Sequence, residues 1–522
     1  MRSPLPKASA CALNMRSIMR AALFMPVAII SPAVAAQSAV SGGDGRVEIL
    51  NADVWLYDQT ASGAQRLRGN VRFKHAEALM RCDSALLFAD QRVDAFGHVS
   101  IEQGDTLRAD ADLLRYNGQQ RAARLEGNVR LRDRSMELTA PALDYDLRGK
   151  RAVYSQGGRI VNQDDGSVLT SGTGTYLADQ RRFIFGSNVL LEHPDRRITG
   201  DTMHYATTTG IAAFFGPTAI TQGETEISTL GGTYDTRNER ARFNRRTQVR
   251  SKGRMIEGDS LHYERAGGIG WAWGHVAITD SSGDLRALGS EGRYSERDER
   301  SMITGQAELQ LRMDDDTLFV HGDTLFTAPD GPGRRITARR SVRFFKRDLQ
   351  GACDTLLFSD ADSLIRMHHR PVLWNGADQI TGDTIRIALK DGKAHRLHVR
   401  GNGFLLSRAD SSRYDQVTGT VMTGYFVENA LDRLDVEGNA RTVYFTREEK
   451  DGADEVFGVN RADCSRIRVR LNEGAISDVI FLDKPDAVLY PIDKAPTDEL
   501  LLQGAVDRSA ERPVDRAGIF IP

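Results

Sequence analysis

Two short strings alternate along this chain at a common period near 30 residues, and a fold without internal repetition does not produce that pattern. The first string is Gly, a small or polar residue, Val or Ala, any residue, then a large apolar one. It stands at Gly69-Asn70-Val71-Arg72-Phe73, Gly97-His98-Val99-Ser100-Ile101, Gly127-Asn128-Val129-Arg130-Leu131, Gly216-Pro217-Thr218-Ala219-Ile220, Gly274-His275-Val276-Ala277-Ile278 and Gly305-Gln306-Ala307-Glu308-Leu309. Weaker copies sit at Gly186, Gly401 and Gly438. The second string lies between copies of the first, as in Gly200-Asp201-Thr202-Met203-His204-Tyr205, Gly258-Asp259-Ser260-Leu261-His262-Tyr263, Gly322-Asp323-Thr324-Leu325 and Gly382-Asp383-Thr384-Ile385. About fourteen units of roughly 30 residues fill positions 46–483.

Each unit reads as strands. Val93, Ala95, Gly97, Val99 and Ile101 share one face, as do Ala123, Leu125, Gly127, Val129 and Leu131, which is a period of two. Turn clusters such as Asn117-Gly118, Asp164-Asp165-Gly166 and Asp391-Gly392 separate them. The expected class is all-β. A glycine recurring mid-strand marks a bend, and one bend per unit predicts an elongated, twisted β-jelly roll with two facing antiparallel sheets and an open apolar trough. If each unit adds one strand to each sheet, the body is on the order of 65 Å long.

Residues 1–36 have a different character. Arg2, Lys7, Arg16 and Arg20 precede an apolar stretch, Ala21–Ile30, and a small-residue end with cleavage expected at Ala35 or Ala36. That is a secretory leader, with Met1 or Met15 as the start. Four of the 69 basic residues lie in it, leaving 65 against 71 acidic ones, a net of −6. No basic excess of the kind that binds nucleic acid remains. Residues 46–483 form the repetitive region and residues 484–522 a tail expected to pack on or cap the last unit.

With its leader and its alternating Gly-Asn-Val-x-apolar and Gly-Asp-Thr/Ser-apolar-x-Tyr strings, the chain resembles the OstA-like family, the LptA-type jelly-roll proteins of lipopolysaccharide export, in a long form without a C-terminal barrel. The resemblance implies a periplasmic, non-enzymatic protein, associated with the outer membrane in some members, that needs no cofactor. It implies an apolar interior that shields the acyl chains of lipopolysaccharide or a related glycolipid. The candidates facing that trough are Val71, Phe73, Val99, Ile101, Val129, Leu131, Phe183, Phe185, Phe214, Ile220, Val276, Ile278 and Leu309. Expected partners are the other jelly-roll components of the export bridge at the inner and outer membranes, with end-to-end self-association a further expectation. Val54, Trp55, Leu56 and Tyr57 are the candidate partner edge.

The remaining suspicious residues have plainer explanations. The same Asp in several units (Asp201, Asp259, Asp323, Asp383) suits a turn or strand edge better than acid–base catalysis, which needs one constellation of divergent environments. The recurring Tyr145, Tyr176, Tyr205, Tyr234, Tyr263 and Tyr294 read as an amphipathic ladder. His204 and His262 are expected near 10 Å apart, too far for one zinc, and no metal site is expected. Cys82, Cys353 and Cys464 read as free and buried. Two rival readings stay open: a scaffold with a filled core and no ligand, and a parallel β-helix that interacts with polysaccharide.

Overall fold

The computed structural model describes residues 47–521, apart from residues 58–63, 76–77, 104–106, 133–135, 147, 164–165, 178, 195, 207, 236, 252, 265, 314–315, 332, 411, 429, 451–452 and 473–474. The leader and its Ala35/Ala36 cleavage point lie outside the described residues. Among the described residues the long elements are all β-strands. The helical elements are short 3-10 turns in the tail (Thr497–Glu499, Ser509–Glu511 and Ala517–Phe520), and no helix is long and apolar enough to cross a membrane. Neighbouring strands pair antiparallel, which sets the parallel β-helix aside.

The repeat becomes a bent strand. In Gln65–His75, Leu67, Val71 and Phe73 are buried while Arg68, Asn70 and Lys74 are exposed. Halfway along, Gly69 and Asn70 both adopt left-handed backbone, with φ of 76° and 47°. Pairing with Ala78–Leu87 is interrupted there, between Arg68↔Ser84 and Val71↔Cys82. The chain turns a corner, and its two halves enter two walls. That the walls fold over each other is shown at their far ends, where Tyr116 on one and His75 on the other lie in hydrogen-bond contact at 3.2 Å.

The second string supplies the other side of each corner. Asp53 donates its N–H to Gly69 O at 3.0 Å and accepts from Asn70 Nδ2 at 2.8 Å. Asp112 receives Asn128 in the same way at 2.8 Å, and Asp83 receives His98 Nδ1 at 2.8 Å. A Cβ on Gly127 would stand 2.4 Å from Asp112 Oδ2, so the position tolerates only glycine on both steric and φ grounds. These glycines leave no vacant space on the apolar face, because the neighbouring strand's aspartate takes it.

A correction concerns the count of strands. One period holds two bent strands, for example Arg92–Gln103 and Leu107–Asn117 before the next unit opens at Ala122. Each unit therefore adds two strand halves to each wall, a rise of about 9.6 Å rather than 4.8 Å. His204 and His262 follow suit: the register runs His204↔Ala213, Ala213↔Thr233, Thr233↔Arg242 and Arg242↔His262, four steps or about 19 Å.

The chain forms two compact units. Unit 1 comprises the residues up to Lys252 with Asp259–Gly267, and unit 2 comprises Gly253–Gly258 with the residues from Gly268 onward. Unit 1 holds two apolar clusters, one from Leu67 to Tyr154 and one from Leu169 to Phe243. Most of the interior of unit 2 is a single cluster running from Leu285 to Ile476. Its strands lengthen toward the end, culminating in Ala430–Lys450 and Ala453–Asn472.

The tail does not stop at the last unit. Asp486–Pro491 pairs with Gly458–Asp463, and the chain then runs back across the outer face of one wall of unit 2. Gln416 receives the Leu502 N–H at 2.8 Å and donates to Leu500 O at 3.0 Å. Gln379 repeats the clamp on Arg508 N–H and Val506 O, at 2.7 and 2.8 Å. Arg512 then donates to Gln350 Oε1 and Gly376 O, and Arg516 to the buried Glu308 carboxylate. Beneath the start of this strap Leu502 packs with Phe404, Leu406, Val443, Phe445 and Val459.

Candidate functional site: the interior between the walls

Strand pairing aligns the inward residues of successive strands into rows. In one wall of unit 1 the row reads Phe73↔Met80, Met80↔Ile101, Ile101↔Ala109, Ala109↔Leu131 and Leu131↔Leu138. It continues through Ile160, Leu169, Leu191, Ile198 and Ile220 to Ile227. Every member is apolar. Opposite it, tyrosine alternates with a smaller or flat partner: Tyr116↔Ala123, Ala123↔Tyr145, Tyr145↔Ala152, Ala152↔Tyr176, Tyr176↔Phe183 and Phe183↔Tyr205. Alternation of large and small lets rings from strands two apart lie over the small residue between them. Tyr176 and Phe183 meet at 4.5 Å, and Phe183 stacks on Phe185 at 5.8 Å. Burial raises the pKa of Tyr116, Tyr145 and Tyr176, so these phenols stay neutral.

The thirteen sequence candidates all face inward, but they fall into separate groups. Val71, Phe73, Val99 and Val129 are buried in the first cluster with Ile101 and Leu131 half-buried against it. Phe183, Phe185, Phe214 and Ile220 lie in the second. Leu309, with half-buried Ile278, belongs to unit 2, where Val276 is also buried. The half-buried residues are the informative ones. Ile101, Leu131, Leu138 and Ile160 are apolar, inward-facing and still partly open.

Within the second cluster of unit 1 lies a cavity of about 60 Å³, lined from both walls by Met136, Ile160, Leu169, Phe183, Phe185, Leu191, Met203 and Tyr205. Buried Asn162 and Ser167 supply its polar end. Only Phe183 and Phe185 of this lining were legible as candidates. Ile160 and Leu169 lie in units where the Gly-Asn string has decayed, and the signal that finds them is their place in the cross-strand row.

At the opposite lip of unit 1, Val54–Tyr57 is a strand with all four residues exposed, Trp55 at 58% and Tyr57 at 65%. Among the described residues it pairs with Gln65–Arg68 on one side. The repeated aspartates occupy structural posts: Asp383 donates its N–H to Gly401 O at 2.8 Å, Asp323 to Arg340 O at 3.0 Å, and Asp259 accepts from Arg246 at 3.3 Å. Cys82, Cys353 and Cys464 are free and buried. Burial, with the charge of Asp83 adding to it, pushes the Cys82 thiol up to about 11; burial pushes Cys353 up to about 12. Neither is a nucleophile at neutral pH.

Comparison with known proteins places the first part of this architecture. The family model described as OstA-like protein matches residues 44–201. No curated protein is matched. Among solved structures the chain is similar to LptH of Pseudomonas aeruginosa, described as the LptA-homologous periplasmic component of the lipopolysaccharide transport device, at 13% identity over 27% of this chain and 95% of that one. The TM-score of 0.21 is too low to carry an argument.

Proposed function

Taking residues 44–201 as an OstA-like stretch, we propose that this protein is a periplasmic, non-catalytic component of glycolipid export that shields lipopolysaccharide acyl chains between its two walls. The observation that carries the reading is the pair of facing apolar rows in unit 1, with Ile101, Leu131, Leu138 and Ile160 only half-buried and Ile160 lining an apolar cavity. Each methylene taken out of water contributes about 0.8 kcal/mol. Acyl chains are therefore held passively, and movement along the path must be driven elsewhere. Neighbouring jelly-roll components at the inner and outer membranes are the proposed partners, through edges such as Val54–Tyr57.

Photo-crosslinking with purified lipopolysaccharide tests the reading. Probes at Val99 and Phe185 should yield lipid adducts, and probes at Asp94, on the other face of the Val99 strand, and at Arg130, on the outward face of Ala122–Arg132, should not. Folded protein that gives no adduct from either inward position would sink the lipid-binding reading in favour of a filled scaffold.

A further inference from the structure

We infer that acyl chains are held in unit 1 alone, and that the interior of unit 2 between Ile303 and Leu471 is closed to them, so that the chain joins a lipid-holding unit to a scaffold unit. This rests on the acyl-shielding reading above.

The two interiors differ in kind. In unit 1 the apolar core is split into two clusters, and the second is hollowed by a cavity of about 60 Å³. Ile160 borders it and remains half-buried. Met136 and Met203 line it, and unbranched thioethers re-pack at small cost. Apolar walls with Asn162 and Ser167 at one end match an amphiphile whose chain lies inside and whose polar part stays at the lip.

In unit 2 the equivalent row is filled. Phe344 is 1% exposed, Leu373 0% and Ile380 1%; from the opposite wall Met367 and Ile385 are at 0%. A cavity there, between Phe344, Leu349, Ile365 and Leu389, is about 20 Å³, the space of roughly one or two waters. Cross-wall polar contacts also fasten the mouth. Arg334 reaches Asp280 at 3.2 Å, and Asn375 accepts the Leu431 N–H at 3.0 Å while donating to Asp348 O at 2.7 Å. Admitting an acyl chain would require expelling side chains already packed at interior density. The strap of the tail covers the outer face of the same wall, at Gln350, Gln379 and Gln416.

The test uses the full mature chain and purified lipopolysaccharide, with Phe185→benzoylphenylalanine for unit 1 and Phe344→benzoylphenylalanine or Ile385→benzoylphenylalanine for unit 2. Circular dichroism melts select the variants that fold. Adduct yield from Phe185 should exceed that from either unit 2 position by roughly tenfold. As a second measurement, Ile160→Trp, which leaves unit 2 untouched, should fill the cavity and cut the Phe185 adduct severalfold, while the unit 2 core change Val399→Leu should leave that adduct unchanged. Comparable adducts from both units, or an Ile160→Trp protein that captures lipid as before, would overturn the inference. Absence of adducts at every position would instead remove the acyl-shielding reading on which it rests.

Discussion

A glycine whose missing Cβ is occupied by the aspartate of the preceding strand is the smallest part of this protein that explains the rest. Gly127 has φ 76° and a virtual Cβ 2.4 Å from Asp112 Oδ2; Gly166 has φ 71° and open space around it. Gly127→Ala should therefore cost about 2–4 kcal/mol, the left-handed penalty plus displacement of Asp112 from Asn128, whereas Gly166→Ala should cost about 1 kcal/mol. Urea midpoints of the two variants check this, and equal losses would mean that the corner contact contributes nothing. Both strings of the corner were visible in the sequence. Their meeting was not, because which Asp faces which Gly depends on register, and register is a property of pairing rather than of either string. For the same reason period-two alternation puts Gly97 and Gly127 on the apolar face without revealing that Asp83 and Asp112 fill the space beside them.

Asp378 shows the same limit in a buried group. It lies at 1% exposure on the inward side of a unit 2 strand, in register with Ser407, which pairs in turn with Asp415. Burial pushes its carboxyl up to about 7, against the opposing Ser407 hydroxyl and with the charge of Asp415 adding to the rise. The native protein thus binds this proton more tightly than the unfolded chain does. The contribution to stability is full below about pH 4 and is lost as pH rises through about 7. Asp378→Asn should flatten that loss, gaining on the wild type by a few kcal/mol at most between pH 4.5 and 8, on the order of 1.4 kcal/mol per pKa unit. Denaturant midpoints at the two pH values measure it. An unchanged difference would show that Asp378 ionises without penalty.

Among the elements, the strands and the tail were legible to different degrees. Period-two alternation located the strands because each has one wet and one dry face. The count was misjudged because a bent strand spends a single run of alternation on both walls. The tail carries no period at all. It was expected to cap the last unit, yet it reaches Glu308 through a succession of polar clamps, since Gln350, Gln379 and Gln416 face outward from strands whose alternate residues are core. These glutamines behave as backbone surrogates: Gln416 and Gln379 each accept an N–H and donate to a carbonyl two residues apart in the tail. Arg512→Ala would leave Gln350 Oε1 without the guanidinium. The local opening free energy of the strap should fall by about 1–3 kcal/mol. Hydrogen exchange at the Leu502 and Arg508 amides reads this directly. Faster exchange at Arg508 than at Leu502 is expected, because Arg508 is nearer the lost anchor. Exchange unchanged at both would show that the apolar patch around Leu502 holds the strap by itself.

At the scale of the whole molecule, each unit ends on strands that have a free side among the described residues, and the two ends are built differently. In unit 2, Ala475–Phe481 and Asp486–Pro491 pair with Ala453–Asn472, and the strap departs from there. In unit 1, Val54–Tyr57 pairs with Gln65–Arg68 and exposes Val54, Trp55, Leu56 and Tyr57 together. Natural edges are usually blunted by charge, Pro or a bulge to prevent strand addition; this one carries four apolar or aromatic residues in a row and no charge between them. Such an edge suits β-augmentation, in which a partner strand supplies the missing backbone hydrogen bonds and Trp55 and Tyr57 add apolar contact. If the export reading proposed above holds, a photo-crosslinker at Tyr57 in intact cells should capture another jelly-roll protein. Leu56→Lys, which places a charge on the edge without touching the interior, should reduce that adduct roughly tenfold while leaving the melting temperature of the isolated protein unchanged. Capture that survives Leu56→Lys undiminished would mean that the contact is made by side chains on the flanks, and that the exposed strand is not the joint.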